Sequence, residues 1–333
     1  MSRDLILVTG GAGFIGSNIV AELAGADQVD IAVCDRLRAA ESGKWRNISK
    51  YDIADFVAPE AMFDWLDRHE SVLKAVVHMG AISSTTEPDA DLIIHNNFTL
   101  SKALWDWCAA HGKRLVYASS AATYGDGEQG FADDDDYASL KTLRPLNAYG
   151  WSKSLFDLYA RREAAKGHAP AGWAGLKFFN VYGPNEYHKG SMKSVVAQVY
   201  PKIAAGQGVQ LFRSHRPDYR DGGQLRDFVY VKDAARVAAW LTGVKAVEGV
   251  YNLGTGQARS FLDLAHATFA AAGRTPDVSF IDTPEVIRDK YQYFTEARMQ
   301  RLSALGYNQP FFSLEDGVKD YVEQYLSRPD PYR

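Results

Sequence analysis

Close to its start the chain reads Thr9-Gly10-Gly11-Ala12-Gly13-Phe14-Ile15-Gly16, between an apolar run, Leu5-Ile6-Leu7-Val8, and a helix-like stretch from Ser17 to about Ala24. A glycine turn that leaves a strand and opens a helix has a mechanical reading. Gly10 permits the tight turn, Gly13 lets the backbone approach a pyrophosphate, and Gly16 lets helix and strand pack closely. Helix N–H groups and the positive end of the helix dipole then face the phosphates. Asp35, at the end of the next apolar run and 19 positions beyond Gly16, is placed to accept hydrogen bonds from an adenosine ribose. These features predict a dinucleotide site. Asp35 favours NAD, because a 2′-phosphate would meet its negative charge. Arg36, Arg38 and Lys44 follow in the same loop and can hold that phosphate instead, so the residues leave the choice open.

The alternation continues. Short apolar runs at 31–34, 75–78, 115–118 and 176–179 are separated by helical patterns and end at polar residues or glycine. They read as parallel strands joined by right-handed crossovers, an α/β doubly wound sheet whose ligands sit at the carboxyl ends of its strands. A length of 333 residues suits two units of roughly 150 residues each. We read residues 1–180 as the nucleotide-binding domain and 181–333 as mainly a smaller, mostly α substrate-binding domain. Segments near 225–260 are expected to return to the first. Residues 206–224 show little periodicity and read as a loop over a cleft. Strands are expected at 228–231 and 250–253, and helices near 261–272 and 314–326.

Hydrophobic residues at 46% and charged residues at 23% support a sizeable core and exclude global disorder. A net charge of −4 argues against nucleic acid as the main partner. No stretch approaches the roughly 18 apolar residues of a membrane span, and no leader pattern is seen, so a cytoplasmic protein with no membrane partner is expected. Cys34 and Cys108 lie in apolar stretches and read as small buried hydrophobes. Asn47-Ile48-Ser49 and Asn97-Phe98-Thr99 match the glycosylation pattern, which only a secreted chain would use. The run from Asp133 to Asp136 reads as an exposed acidic loop, and no set of residues has metal-ligand spacing, so no metal is expected.

Tyr149-Gly150-Trp151-Ser152-Lys153 places Tyr149 and Lys153 four apart, on one face of a helix, downstream of Ser119-Ser120 at a strand end. A tyrosine has a reference pKa of about 10; a nearby ammonium and a positive nicotinamide ring favour its phenolate. Ser120 can hydrogen-bond the same reacting oxygen. Such a set moves a proton while a hydride moves to nicotinamide.

Here the chain resembles the extended short-chain dehydrogenase/reductase superfamily, through residues 9–16, 119–125, 149–153, 180–184, 226–233 and 251–256. Ser83-Ser84-Thr85-Thr86-Glu87, residues 118–125, His188-Lys189-Gly190-Ser191-Met192 and Tyr291-Gln292 with Phe294-Thr295 are similar to the ADP-L-glycero-D-manno-heptose 6-epimerase family. That resemblance implies a Rossmann domain with a smaller substrate domain, tightly bound NADP (with NAD the alternative), an ADP-heptose substrate and a homo-oligomer, often a pentamer. Its product feeds lipopolysaccharide inner-core synthesis. It implies catalytic roles for Tyr149, Lys153, Ser120 and Lys189, the last as a second base. It also implies cofactor contacts at Phe14, Ile15, Asp35, Arg36, Lys44, Met79, Gly80, Ala81, Ile82, Ser83, Asn96, Lys153 and Val181. Substrate contacts are implied at Asn180, Ser191, Gln198, Phe212, Arg213, Ser214, His215, Arg226 and Tyr291. Arg226 suits a diphosphate because its planar fork binds two oxygens at once. The family often has His-Glu-Gly-Ala where this chain has His78-Met79-Gly80-Ala81, a departure confined to a cofactor-side contact.

The implied reaction inverts a carbinol carbon, C6 of the heptose, whose C–H is not next to a carbonyl. Direct proton abstraction is therefore too costly, and transient oxidation to a 6-keto sugar followed by hydride return to the opposite face avoids it. A neutral Lys189 requires a pKa depressed by burial or by positive charge. A nucleotide-sugar 4-epimerase shares every cofactor motif. A 4,6-dehydratase would want an Asp-Glu pair where this chain has Ala121-Ala122. A nucleotide-sensing protein without catalysis would not need Ser120, Tyr149 and Lys153 together.

Overall fold

The computed structural model describes residues 3–37, 40–288 and 292–333; Arg38 and Tyr291 lie outside the described residues. The strands are β1 (Leu5–Thr9), β2 (Asp30–Cys34), β3 (Asp55–Val57), β4 (Leu73–His78), β5 (Arg114–Ser120), β6 (Trp173–Phe178), β7 (Asn180–Tyr182), β8 (Val209–Phe212), β9 (Leu225–Tyr230), β10 (Glu248–Leu253), β11 (Ala258–Ser260) and β12 (Val278–Ile281). A seven-stranded sheet has the order β10-β6-β5-β4-β1-β2-β3, every neighbouring pair parallel. The chain leaves β1 toward β2 on one side and reaches β4 on the other. The gap between these crossovers is the switch point where doubly wound sheets bind ligands.

Period-two alternation sends Ile6 and Val8 to one face of β1 and Leu5 and Leu7 to the other. The first face packs against the helices Phe14–Ala26 and Val231–Leu241, the second against Met62–His69, Leu100–Ala110 and Ala148–Ala165. Both faces are covered, which is why these strands read as unbroken apolar runs. A smaller apolar cluster joins Tyr182, Val196, Phe228, Leu264 and Val318 above the sheet's carboxyl ends. Two short sheets, β11-β9-β7 and β12-β8, lie in this later part of the chain.

Residues 206–224 differ from expectation. They contain β8, which pairs in parallel with β12, and none of them lines the cleft described below. Only four residues long and preceded by Gly206 and Gly208, β8 offers too few alternations to reveal a strand.

The acidic run is also more than an exposed loop. Asp133 is buried and accepts from the Asn252 N–H (2.9 Å), while Asp135 accepts from the Val250 N–H (3.2 Å). Arg301 pairs with Asp135 (3.0 Å) and donates to the Val250 carbonyl (2.7 Å). These side chains satisfy the open edge of β10 that a further strand would otherwise pair with.

Candidate active site

A cleft of about 740 Å³ opens at the carboxyl ends of β1, β4 and β5. The glycine turn forms its floor. Gly10 has φ +64°, and a Cβ there would come within 2.7 Å of the Gly80 nitrogen; one on Gly16 would overlap the Gly10 carbonyl oxygen. The helix Phe14–Ala26 starts from Gly13 with no side-chain cap, so its first N–H groups remain for an anion. A bare, uncapped turn of this shape fits a dinucleotide pyrophosphate.

Asp35 and Lys44 line the ribose end of the cleft. Asp35 accepts from the Ala12 N–H (2.9 Å) and from the Lys44 ammonium (2.5 Å), and Lys44 also donates to the Arg36 carbonyl (2.9 Å). Arg36 pairs with Glu60 on the surface and does not line the cleft. Met79, Gly80, Ala81, Ile82 and Ser83 line the cleft, as does Val181. Asn96 does not line it; its amide donates back to the Leu92 carbonyl (2.8 Å). Its neighbour Asn97 is buried in a wide helical turn, His95–Thr99. There it accepts from the Ile82 N–H (2.8 Å) and donates to the Ile82 carbonyl (2.9 Å) and Ser152 Oγ (3.1 Å). Asn97 therefore shapes the wall, a role its sequence neighbourhood did not signal. Asn47, the other match to the glycosylation pattern, is equally buried and donates to the Ala12 carbonyl (2.8 Å).

Ser120 ends β5, where its Oγ accepts from the Ala122 N–H (3.1 Å) and caps the turn Ala121–Tyr124. Tyr149 stands in the first turn of the helix Ala148–Ala165, whose N-cap Asn147 accepts from Gly150 N–H (2.8 Å). A Cβ on Gly150 would approach the Ala122 carbonyl oxygen to 2.7 Å, so glycine lets the helix start close against the serine's turn. Burial pushes the Tyr149 phenol up, and the nearby Ser120 hydroxyl opposes this. The depression expected from sequence thus exceeds what the protein's own groups provide; it needs the positive nicotinamide ring as a further charge.

One turn on, Lys153 is buried and donates to the Ala118 carbonyl (2.8 Å). Burial pulls its pKa down to about 8, opposed by Asp157 one further turn along. Asp157 accepts from Ser119 Oγ (2.7 Å) and Tyr117 OH (3.0 Å) and lies 3.5 Å from the Lys177 ammonium, which donates to Thr123 Oγ1 (2.7 Å). This fully enclosed network fixes the strand end that carries Ser120. Lys177 and Asp157 give no periodic signal in the sequence, because each lies on an element whose other residues are read as core.

Lys189 enters the same cleft from the turn Tyr187–Met192, half-buried, its ammonium 5.1 Å from the centre of the Phe14 ring. Burial lowers its pKa and the nearby Glu186 carboxylate raises it. The turn is exposed at Gly190, whose φ of +57° only glycine adopts readily. His188, Met192, Ser42, Ser84 and Glu87 also line the cleft and were not singled out from sequence as contacts.

Asn180 lines the cleft, whereas Ser191, Gln198, the segment 212–215 and Arg226 stand outside its wall. Gln198 donates to the Lys193 (2.6 Å) and Ser191 (3.3 Å) carbonyls, holding the turn after Lys189. His215 and Ser214, just past β8, bond elsewhere: His215 N–H to Tyr293 OH (2.9 Å), Ser214 N–H to Asp221 (2.9 Å). Arg213 lies 3.9 Å from both Asp221 and Asp282, and its neighbour Phe212 ends β8. Arg226 is buried, donates to the Leu225 carbonyl (2.8 Å) and to the Gln292 carbonyl, and packs its guanidinium over Phe261, itself a cleft residue.

A cradle for a dinucleotide, with a tyrosine, a serine and two lysines at one end of it, defines a pyridine-nucleotide enzyme that works on a hydroxyl-bearing carbon. Residues 6–254 match the NAD dependent epimerase/dehydratase family, and the chain belongs to it. It is 49% identical over 330 residues to an ADP-L-glycero-D-manno-heptose-6-epimerase of Nitratidesulfovibrio vulgaris strain DP4, covering 98% of this chain and all of that one. A relative of the same name from Fusobacterium nucleatum is 46% identical over 336 residues, again covering 98% and 100%. The crystal structure of the Helicobacter pylori ADP-L-glycero-D-manno-heptose-6-epimerase superposes with a TM-score of 0.78 at 28% identity, covering 97% of this chain and 96% of that one. A Thermus thermophilus UDP-glucose 4-epimerase complexed with NAD gives 0.71 at 27% identity, covering 96% and 98%.

Proposed function

We propose that this chain epimerises ADP-D-glycero-D-manno-heptose to ADP-L-glycero-D-manno-heptose at C6. The observation that carries this reading is that two side chains able to give and take a proton, Tyr149 and Lys189, line one cleft from separate elements. Near-full-length likeness to heptose 6-epimerases supports the substrate class. When bound, a nicotinamide dinucleotide supplies reversible hydride storage, so C6 passes through a ketone and is reduced on the face opposite to the one oxidised. Inversion means that the alcohol oxygen lies on different sides of the site before and after. Tyr149 holds the proton at one position and Lys189 at the other. Ser120 hydrogen-bonds the oxygen on the tyrosine side, and Lys153 adds positive charge there. Partial burial keeps the Lys189 ammonium acidic enough to give up its proton.

NADP is the proposed coenzyme. Lys44 neutralises Asp35 and stays in the cleft wall, so a 2′-phosphate meets a cation there. The purified protein is expected to interconvert the two ADP-heptose epimers with no added oxidant and to release NADP on denaturation. Release of NAD would overturn the coenzyme assignment. Turnover of a UDP-hexose with none of ADP-heptose would overturn the substrate.

A further inference from the structure

A buried carboxylate, Glu186, joins the two ends of the turn that carries Lys189. Glu186 has no solvent exposure. It accepts from the Gly183 N–H (3.3 Å) ahead of the turn, and from the Ser194 N–H (2.5 Å) and Ser194 Oγ (2.6 Å) beyond it. Tyr321, on the helix Leu314–Tyr321, donates to it from a third direction (3.1 Å). Its own backbone carbonyl accepts from the Lys189 N–H (3.0 Å). All the side-chain bonds arrive from donors, the arrangement an ionised carboxylate satisfies and a neutral acid does not.

We propose that Glu186 is a positioning residue for Lys189: it ties both ends of the lysine's turn together and keeps a negative charge beside its ammonium. This rests on the reading of Lys189 as the second proton-transfer group. The physical need is specific. A half-buried lysine left alone loses its proton too readily to act as an acid in one direction of a reversible reaction, whereas a lysine paired directly with a carboxylate holds it too tightly to act as a base in the other. Glu186 is close enough for the two charges to act on each other, yet its oxygens are already engaged by Gly183, Ser194 and Tyr321. It therefore acts on Lys189 through its field while staying out of the cleft wall. Among the described residues Tyr187 and Tyr321 are titratable neighbours of the carboxylate, and Tyr332 packs edge-on against the Tyr187 ring. Burial pushes Tyr187 and Tyr321 up, so both stay neutral through the working range. His188 and Lys193 flank Lys189 on its own segment.

The test compares full-length wild type with Glu186→Gln, Glu186→Asp and Lys189→Met, reading kcat against pH in both directions with ADP-heptose. Removing the charge disfavours the ammonium. The Lys189-governed limb is therefore expected to move to lower pH by about half a unit or more in Glu186→Gln. Bound nucleotide should be retained and KM stay within about twofold. Glu186→Asp, which keeps the charge, is expected to leave the limb in place while kcat falls. If the glutamine variant does not fold, Ser194→Ala serves: it keeps the charge, loosens one end of the turn, and should lower kcat severalfold with the limb unmoved. An unmoved limb in Glu186→Gln, or unchanged kcat in Ser194→Ala, overturns the proposal. If Lys189→Met itself turns over near wild type, the underlying reading of Lys189 fails instead, so the two failures are told apart.

Discussion

In the mechanism proposed here inversion depends on Tyr149 and Lys189, which reach the cleft from separate elements. Tyr149→Phe and Lys189→Met are each expected to lower turnover by about 100-fold or more, the usual cost of losing a general acid or base. Bound nucleotide measured after denaturation should be unchanged in both. Near-wild-type turnover in either would remove that residue from proton transfer. Tyr149 and Lys153 were legible in sequence because helical spacing of four puts them on one face. Glu186 and Asn97 were not. Glu186 is completed by Tyr321, 135 positions away, and Asn97 by Ile82, 15 positions away, pairings that no local pattern encodes.

At the scale of elements, the strand ends do most to shape the site. His78 ends β4, fully enclosed, within reach of Thr9 Oγ1 (2.6 Å) and Ser101 Oγ (3.0 Å); Thr9 Oγ1 also accepts from the Gly80 N–H (3.2 Å). Burial pulls its pKa down to about 3, with the Lys153 charge acting in the same direction. It is neutral in the folded protein, while an unfolded chain protonates it near 6.5. Its contribution to stability is therefore complete above pH 6.5 and is lost as pH falls toward 3. Between pH 7 and pH 5 this linkage costs about 2 kcal/mol, at about 1.36 kcal/mol per pH unit below 6.5. Urea unfolding at the two pH values should show that loss in wild type and a smaller one in His78→Gln; equal losses would contradict it. Six of the seven strands of the main sheet follow from apolar runs visible in the sequence. β3, β8 and β12 were not, being three or four residues long, with alternation too brief to separate from loop. The role of Asp133 and Asp135 was hidden for a different reason: a carboxylate that covers a strand edge and one that faces water look alike in sequence.

At the scale of the molecule, the parallel sheet brings the glycine turn, Ser120 and the helix of Tyr149 to one cleft, and the later part of the chain adds Lys189, Phe228 and Phe261 to its lining. Among the described residues no helix is long and apolar enough to cross a membrane. The thiols of Cys34 and Cys108 are buried and pushed up to about 12, which keeps them unreactive inside the core. The proposed inversion requires one hydride to leave and return without exchanging with water. Running the ADP-heptose interconversion in heavy water and locating deuterium in the product by NMR tests this most directly. The expected product carries no solvent deuterium at C6; substantial incorporation at that carbon would contradict internal hydride return.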